Sequence, residues 1–311
     1  MIADFKDLKY RYCLITFTLL LTFSLAYAQP TSPPSKIFTG SMAFLANLDG
    51  NWDIFLWEEG KEKARRLTQT PYDEKSPALS FQRDKLAYTT TEGRLFILDL
   101  KTRKQIPLEI ESYPGKWDNP SFSPDGQNLV CSYFDPKEKD RSALAMIDLK
   151  TLEPHLFLKQ FGPQSSPSWS PKDFRIAYAY THCSTECGRI IQEIWIADIR
   201  KRYSRQLLNT SSHCLSPSWS PDGDKIAFCA DTSDNFDIWV FDINSKKLVQ
   251  VTSHPGLDDS PAFGPDGKQI AFISTRSGQR AIWMKNLASN TLHELHPFGD
   301  KDIECKDVSW R

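Results

Sequence analysis

Five residues that could bind a soft metal or form a disulfide fall in two short stretches of the chain, His182-Cys183 with Cys187 and His213-Cys214. Zinc accepts Cys and His sets of this kind. The spacing matches no closed zinc pattern, however, and an even set of six cysteines remains once Cys13 is set aside as part of an N-terminal leader. An even count in an exported chain favours pairing over metal binding. The expected product is a loop disulfide, either Cys183 with Cys187 or one of these with Cys214. Cys131 and Cys229 lie inside apolar runs and read as buried free thiols.

Other chemistry is sparse. Asp231-Thr-Ser-Asp-Asn-Phe-Asp237 has the oxygen density of a calcium loop, and Asp49-Gly-Asn-Trp-Asp53 echoes it, but both lack the twelve-residue frame and its closing glutamate. They read as Asx-rich hairpin turns. No metal or other cofactor is expected. Glu74, Asp118, Asp258 and Asp259 could serve as acids or bases. None belongs to a Gly-x-Ser-x-Gly elbow, a His-Glu-x-x-His helix, a phosphate-binding glycine loop or a dinucleotide fingerprint, all of which are missing from the sequence. His155, His254, His293 and His296 are scattered over inter-strand loops.

The elements that must position these residues repeat along the chain. The clearest copy runs Ser216-Pro-Ser-Trp-Ser-Pro-Asp-Gly-Asp-Lys-Ile-Ala-Phe, then Asp237-Ile-Trp-Val-Phe-Asp-Ile, then Gln250-Val-Thr. Opening prolines at Pro77, Pro120, Pro167, Pro217 and Pro261 set a period of about 45 residues, with a degraded sixth opener at Asp307-Val-Ser-Trp310. Ser-Pro-Asp-Gly is a tight turn, with proline presetting the first corner and glycine taking positive φ. The apolar triplets that follow, such as Leu86-Ala-Tyr and Ile226-Ala-Phe, read as central strands buried on both faces. Four short strands per period cannot bury both faces alone and must stack on neighbours. The expected fold is all-β, a six-bladed β-propeller of four-stranded antiparallel blades over residues 37–311.

Ring closure is expected from the two ends. Met42 to Thr68 supplies strands two to four of a blade without an opener, and Asp307 to Trp310 is an opener with no blade behind it. The C-terminal strand should therefore become the innermost strand of the first blade and leave no open edge. Loops leading into the innermost strands converge on the channel mouth. Three residues before the opening proline, the copies carry Glu74, Trp117, Gln164, Cys214, Asp258 and Cys305. Next to them stand Lys75, Asp118, Ser165, Leu215, Asp259 and Lys306. The expected partner-binding rim is Glu74, Trp117, Asp118, Gln164, Asp258, Asp259 and Lys306, with the tryptophan exposed as an anchor and the carboxylates orienting basic or amide groups.

The leader has Lys6, Lys9 and Arg11 ahead of an apolar run from Cys13 to Leu25, then Ala26-Tyr-Ala28. This pattern predicts a signal peptide over 1–28 and a Pro-rich tether over 29–36, so that no membrane span remains after cleavage. The expected location is the periplasm or another exported compartment. A formal net charge of −1 gives no footprint for nucleic acid, and a monomer is expected.

The cadence Pro-x-Trp-Ser-Pro-Asp-Gly-x-x-Ile-Ala-Phe, then Asp-Ile-Trp-x-x-Asp and Leu-Thr, resembles the propeller repeats of the TolB family over residues 37–311. The resemblance implies a periplasmic binding platform whose channel mouth receives partner proteins. The protein that gives the family its name carries an α/β domain between leader and ring, whereas Thr39-Gly-Ser-Met-Ala-Phe is expected to begin the ring almost directly after the leader here. The functional expectation is a non-enzymatic scaffold that binds an envelope protein or peptide. The alternative is a glycan- or peptide-active enzyme, or the accessory propeller of one, with an acidic site at the mouth. The repeats are also similar to the propeller of prolyl-oligopeptidase-type peptidases, without the hydrolase domain those enzymes use.

Overall fold

A computed structural model describes residues 38–138, 141–184, 188–233 and 235–311. The leader, the tether, Cys187 and Asp234 lie outside the described residues. Six four-stranded antiparallel sheets make up the six blades, and no helix occurs among the described residues. Blades 2 to 6 are each built from consecutive strands, with inner strands Glu74–Leu79, Lys116–Phe122, Gln164–Trp169, Cys214–Trp219 and Asp258–Phe263.

Blade 1 joins the two ends of the ring as expected. Its inner strand is Cys305–Trp310, which pairs antiparallel with Ser41–Asn47, followed by Trp52–Glu58 and the short outer pair Arg65–Arg66. Trp310 is 1% exposed, packs edge-on to Phe38 at 6.1 Å and donates from Nε1 to the Thr39 carbonyl at 2.7 Å. Closure therefore rests on a filled core as well as on strand pairing.

Each part of the repeated motif has a structural task. In the Ser-Pro-Asp-Gly turn of blade 5, Ser220 Oγ donates to Asp222 and accepts from the Lys225 amide, while Gly223 takes φ of 66°. The triplets after the turns are buried: Leu86, Ala87, Tyr88, Ile226, Ala227 and Phe228 are all 0% exposed. The serine after the opening proline, or after Val308 in the degraded copy, stitches blade to blade. Ser121 Oγ accepts from the Trp169 amide at 3.0 Å, Ser218 Oγ from the Phe263 amide at 3.3 Å and Ser309 Oγ from the Leu79 amide at 3.0 Å. The closing threonine of Gln250-Val-Thr accepts the Ile238 amide at 2.9 Å and donates to Asp237 at 3.3 Å, both deep in the blade. Polar residues of the motif thus satisfy buried backbone groups that the ladders leave over.

Candidate functional site at the channel mouth

Every inner strand is bulged just before its opening proline, where the pairing with the second strand slips. The bulged residue is Ser76, Asn119, Ser166, Ser216, Ser260 or Asp307, and all six hold φ between 49° and 52°. Non-glycine residues adopt this left-handed conformation rarely, with Asn and Asp among the more tolerant. Six copies at one level make a ring of short polar side chains around the axis. These residues and the two that follow each of them line a channel of roughly 160 Å³.

The bulge separates two adjacent positions that the sequence places together at the mouth. Successive strand residues point to opposite faces. The position three before the proline turns into the blade: Glu74, Gln164, Cys214 and Asp258 are 0% exposed, Cys305 2% and Trp117 4%. Trp117 is therefore not an exposed anchor. It packs against Tyr133 at 4.7 Å and Tyr113 at 6.2 Å in an aromatic cluster. Glu74 accepts from Thr70 Oγ1 at 2.7 Å and Thr68 Oγ1 at 3.1 Å. Burial, the largest influence, pushes its pKa up to about 7, with the Asp53 charge adding to the rise against the two threonine bonds. Asp258 is held by Arg276 at 2.6 Å, and Gln164 donates to the Gly162 carbonyl at 2.8 Å. These three are internal clamps, and the expected rim loses Glu74, Trp117, Gln164 and Asp258.

Asp118, Asp259 and Lys306, the other residues expected at the rim, are partly exposed next to the bulged positions. Lys75 Nζ pairs with Asp118 Oδ2 at 2.7 Å, crossing from blade 2 to blade 3. Ser76 Oγ donates to Asp118 Oδ1 at 2.9 Å, and the Ser76 amide donates to Asp307 Oδ2 at 3.3 Å. Arg280 holds Asp259 at 3.2 Å, and Lys306 lies over the Trp52 ring at 4.0 Å. Burial raises the Asp307 and Asp259 carboxyls above their ordinary values, and each also feels a neighbouring mouth carboxylate, Asp118 and Asp307 respectively. Blades 6, 1, 2 and 3 therefore present a charged arc. Blades 4 and 5 present Ser165 and Leu215, so the ring is polar on one side and neutral on the other.

Blade 4 adds apolar surface on the same face. Its second and third strands, Arg175–Cys183 and Ile190–Asp198, are the longest in the ring and project as a hairpin. Ile190 at its tip is 69% exposed, and Phe161 in the preceding loop is 81% exposed. A Cβ on Gly162 would strike the Thr181 carbonyl, which places Phe161 alongside that hairpin. Arg141, Phe161 and Asp307 were missed from sequence because none belongs to the repeated motif positions that had been aligned as the rim; Arg141 covers the Phe161 ring at 4.7 Å.

The five described cysteines are free thiols. Cys214, expected as an alternative disulfide partner of Cys183 or Cys187, is instead a buried free thiol at the first residue of an inner strand, with its sulfur 3.1 Å from Thr210 Oγ1. A pairing of Cys183 with Cys187 falls outside the described residues. The two oxygen-rich stretches are spoken for: Arg66 pairs with both Asp49 and Asp53, and Asp237 takes bonds from Ser233, Gln250 and Thr252. Among the described residues no cluster of three or more His, Cys, Asp or Glu side chains could hold a metal.

A closed six-bladed propeller with a polar axial channel is the class of protein that this fold and mouth define. More narrowly, the chain belongs to the TolB beta-propeller domain family, whose model matches residues 132–307. A protein described as "Protein TolB homolog" from Protochlamydia amoebophila (strain UWE25) is 28% identical over 187 residues, which cover 56% of this chain and 39% of that protein. The match thus spans well under half of that relative's length. Among solved structures, TolB from Acinetobacter baumannii superposes with a TM-score of 0.73 at 19% identity, over 90% of this chain and 68% of that one. An oligogalacturonate lyase in complex with manganese superposes with a TM-score of 0.58 at 20% identity, over 83% and 75% of the two chains. At such identities the two structures share the fold with this chain.

Proposed function

We propose that this chain is an exported, non-enzymatic binding protein whose channel mouth takes a loop or peptide segment of a cell-envelope protein. The observation that carries this reading is the asymmetry of the mouth. Asp118, Asp259 and Asp307 line one arc with Lys75, Arg280 and Lys306 beside them, while Leu215, Ser165 and the exposed Phe161 and Ile190 lie on the other side. A segment with a basic or amide-rich edge and an apolar edge would match both halves, with the apolar side chains anchoring and the charges setting orientation. The bulged residues Ser76, Asn119, Ser166, Ser216, Ser260 and Asp307 add polar groups along the channel, suited to a chain that inserts end-on. Membership of a TolB propeller family supports the same reading. An acid–base role fits less well, because Asp118 and Asp259 are each held by a cation and no histidine stands on the six inner strands.

The test is site-specific photo-crosslinking in the native envelope, with the probe at Leu215 or Ser165 and, as controls, at Leu248 on the outer strand of blade 5. One envelope protein should crosslink from both mouth positions and not from Leu248. Asp118→Asn combined with Asp259→Asn should weaken that crosslink several-fold. The same products from all three positions, or no effect of the double substitution, would remove the mouth as the binding surface.

A further inference from the structure

The third strand of each blade follows one rule until its last copy. At the position held by the second Phe of Asp237-Ile-Trp-Val-Phe in blade 5, and by its equivalents in blades 1 to 4, stand Trp57, Leu98, Ile147, Ala197 and Phe241, all at most 5% exposed. In blade 6 the residue is Lys285. Its register is the same, since Lys285 pairs with Ile270 as Phe241 pairs with Ile226. A position where a repeat abandons its own rule is where a function is to be sought.

Lys285 stands in the seam between blades 5 and 6. At the preceding seam Phe241 is part of the apolar core that blades 4 and 5 share, whereas here the seam holds a groove of about 470 Å³. That volume falls within the range of sites that take small organic ligands. Aliphatic side chains from both blades wall it, Val249 and Val251 from blade 5 and Leu287 and Leu292 from blade 6. Val249 is 43% exposed, so the groove is open to solvent.

The groove has cations and no anion in its lining. Arg276, Lys285 and His254 contribute to it, and no carboxylate does. Lys285 Nζ donates to the Val251 carbonyl at 2.6 Å, its one acceptor among the described residues, where it also forms no ion pair. Arg276 is already held, by Asp258 at 2.6 Å and Ser274 Oγ at 2.8 Å. Two carboxylates of blade 6 lie outside the lining: Asp258 is 0% exposed, and Glu294, across from Trp283, accepts from Ser277 Oγ at 3.1 Å. Burial lowers the Lys285 pKa most, and the Arg276 charge lowers it further against the opposing pull of Asp258. The ammonium thus feels its cationic neighbour more than the carboxylate behind it. An aliphatic seam with a lysine head set into it is complementary to an anion that carries its own apolar surface.

We infer that the groove between blades 5 and 6 binds a short aliphatic carboxylate, with its carboxylate at Lys285 and its chain along Val249, Leu287 and Leu292. One ammonium with free donors matches a single negative charge, and the aliphatic walls match a saturated chain. Inorganic phosphate would bring more charge to the same lysine and leave those walls uncovered.

Hexanoate, its neutral amide hexanamide and inorganic phosphate serve as probes, titrated against the purified protein by calorimetry and followed by NMR of valine and leucine methyls. Hexanoate should bind saturably, shift the Val249, Leu287 and Leu292 methyls, and bind at least about fivefold more tightly than hexanamide. Phosphate should not displace it. Lys285→Leu restores the residue type of the other five blades, so the fold should be kept while the preference for acid over amide is erased. No saturable hexanoate binding up to about 10 mM, equal affinity for acid and amide, or displacement by phosphate at matching concentration would each overturn the inference. So would methyl shifts confined to other positions, or an acid preference that survives Lys285→Leu. The acid–amide comparison is made on the unaltered protein and does not depend on any variant folding. Crosslinking at the channel mouth is independent of these outcomes, so the two readings stand or fall separately.

Discussion

Replacing Glu74 with glutamine should make the protein more stable at pH 8 and leave it nearly unchanged at pH 4.5. Glu74 is 0% exposed, and its pKa is pushed from 4.5 to about 7, chiefly by burial. Between those values the folded chain keeps a proton that the unfolded chain has released. Stability therefore falls as pH rises through that window, and the contribution present below about pH 4.5 is gone above about pH 7. At about 1.4 kcal/mol per pH unit, the shift amounts to roughly 3 kcal/mol. Glutamine keeps an acceptor for Thr70 and cannot ionise, so the Glu74→Gln protein should lack this loss. Urea unfolding at pH 4.5, 6 and 8, with equal slopes for both proteins, measures it: the two midpoints should coincide at pH 4.5 and separate by pH 8. Parallel pH profiles would refute the reasoning and return Glu74 to a solvated rim, where its charge would cost nothing. The same variant should leave crosslinking at the mouth unaltered.

Closure of the ring gives a second expectation. Trp310→Ala should cost about 3–5 kcal/mol by urea unfolding, because it empties a core position and strands the Thr39 carbonyl, while Trp310→Phe should recover part of the loss. The thiols give a third. In the folded, reduced protein iodoacetamide should label Cys183, which is exposed, well before Cys131, Cys214, Cys229 or Cys305, which are buried. Burial raises the Cys214 thiol to about 11 and those of Cys229 and Cys305 to about 12, and peptide mapping after brief treatment would show the order.

The blades were legible because their cause is local. Pro-Asp-Gly closes a turn through its own φ preferences, Ile-Ala-Phe is buried wherever two sheets stack, and the unmatched fragments at Met42 and Asp307 can complete only one another. The mouth was half legible. Aligning openers put Asp118, Asp259 and Lys306 at equivalent positions, and all three are partly exposed beside the bulges. Trp117 and Glu74 were misplaced because the spacing of residues along a strand does not reveal which of two neighbours faces inward. That choice is made by a bulge at Ser76, Asn119 and their equivalents, and the serine that fills four of the six positions carries no signature of a left-handed backbone. Arg141 beside Phe161, and Asp307 beside Ser76, meet across elements far apart in the chain.

From its sequence alone this protein is determined to be a closed ring of six repeated sheets, since hydrophobic period and turn chemistry act over a few residues and are written where they act. The tertiary structure alone decided which side chains line the channel mouth. A carboxylate becomes a buried clamp like Glu74 or a partly exposed charge like Asp118 according to the neighbours that the ring brings together from other blades.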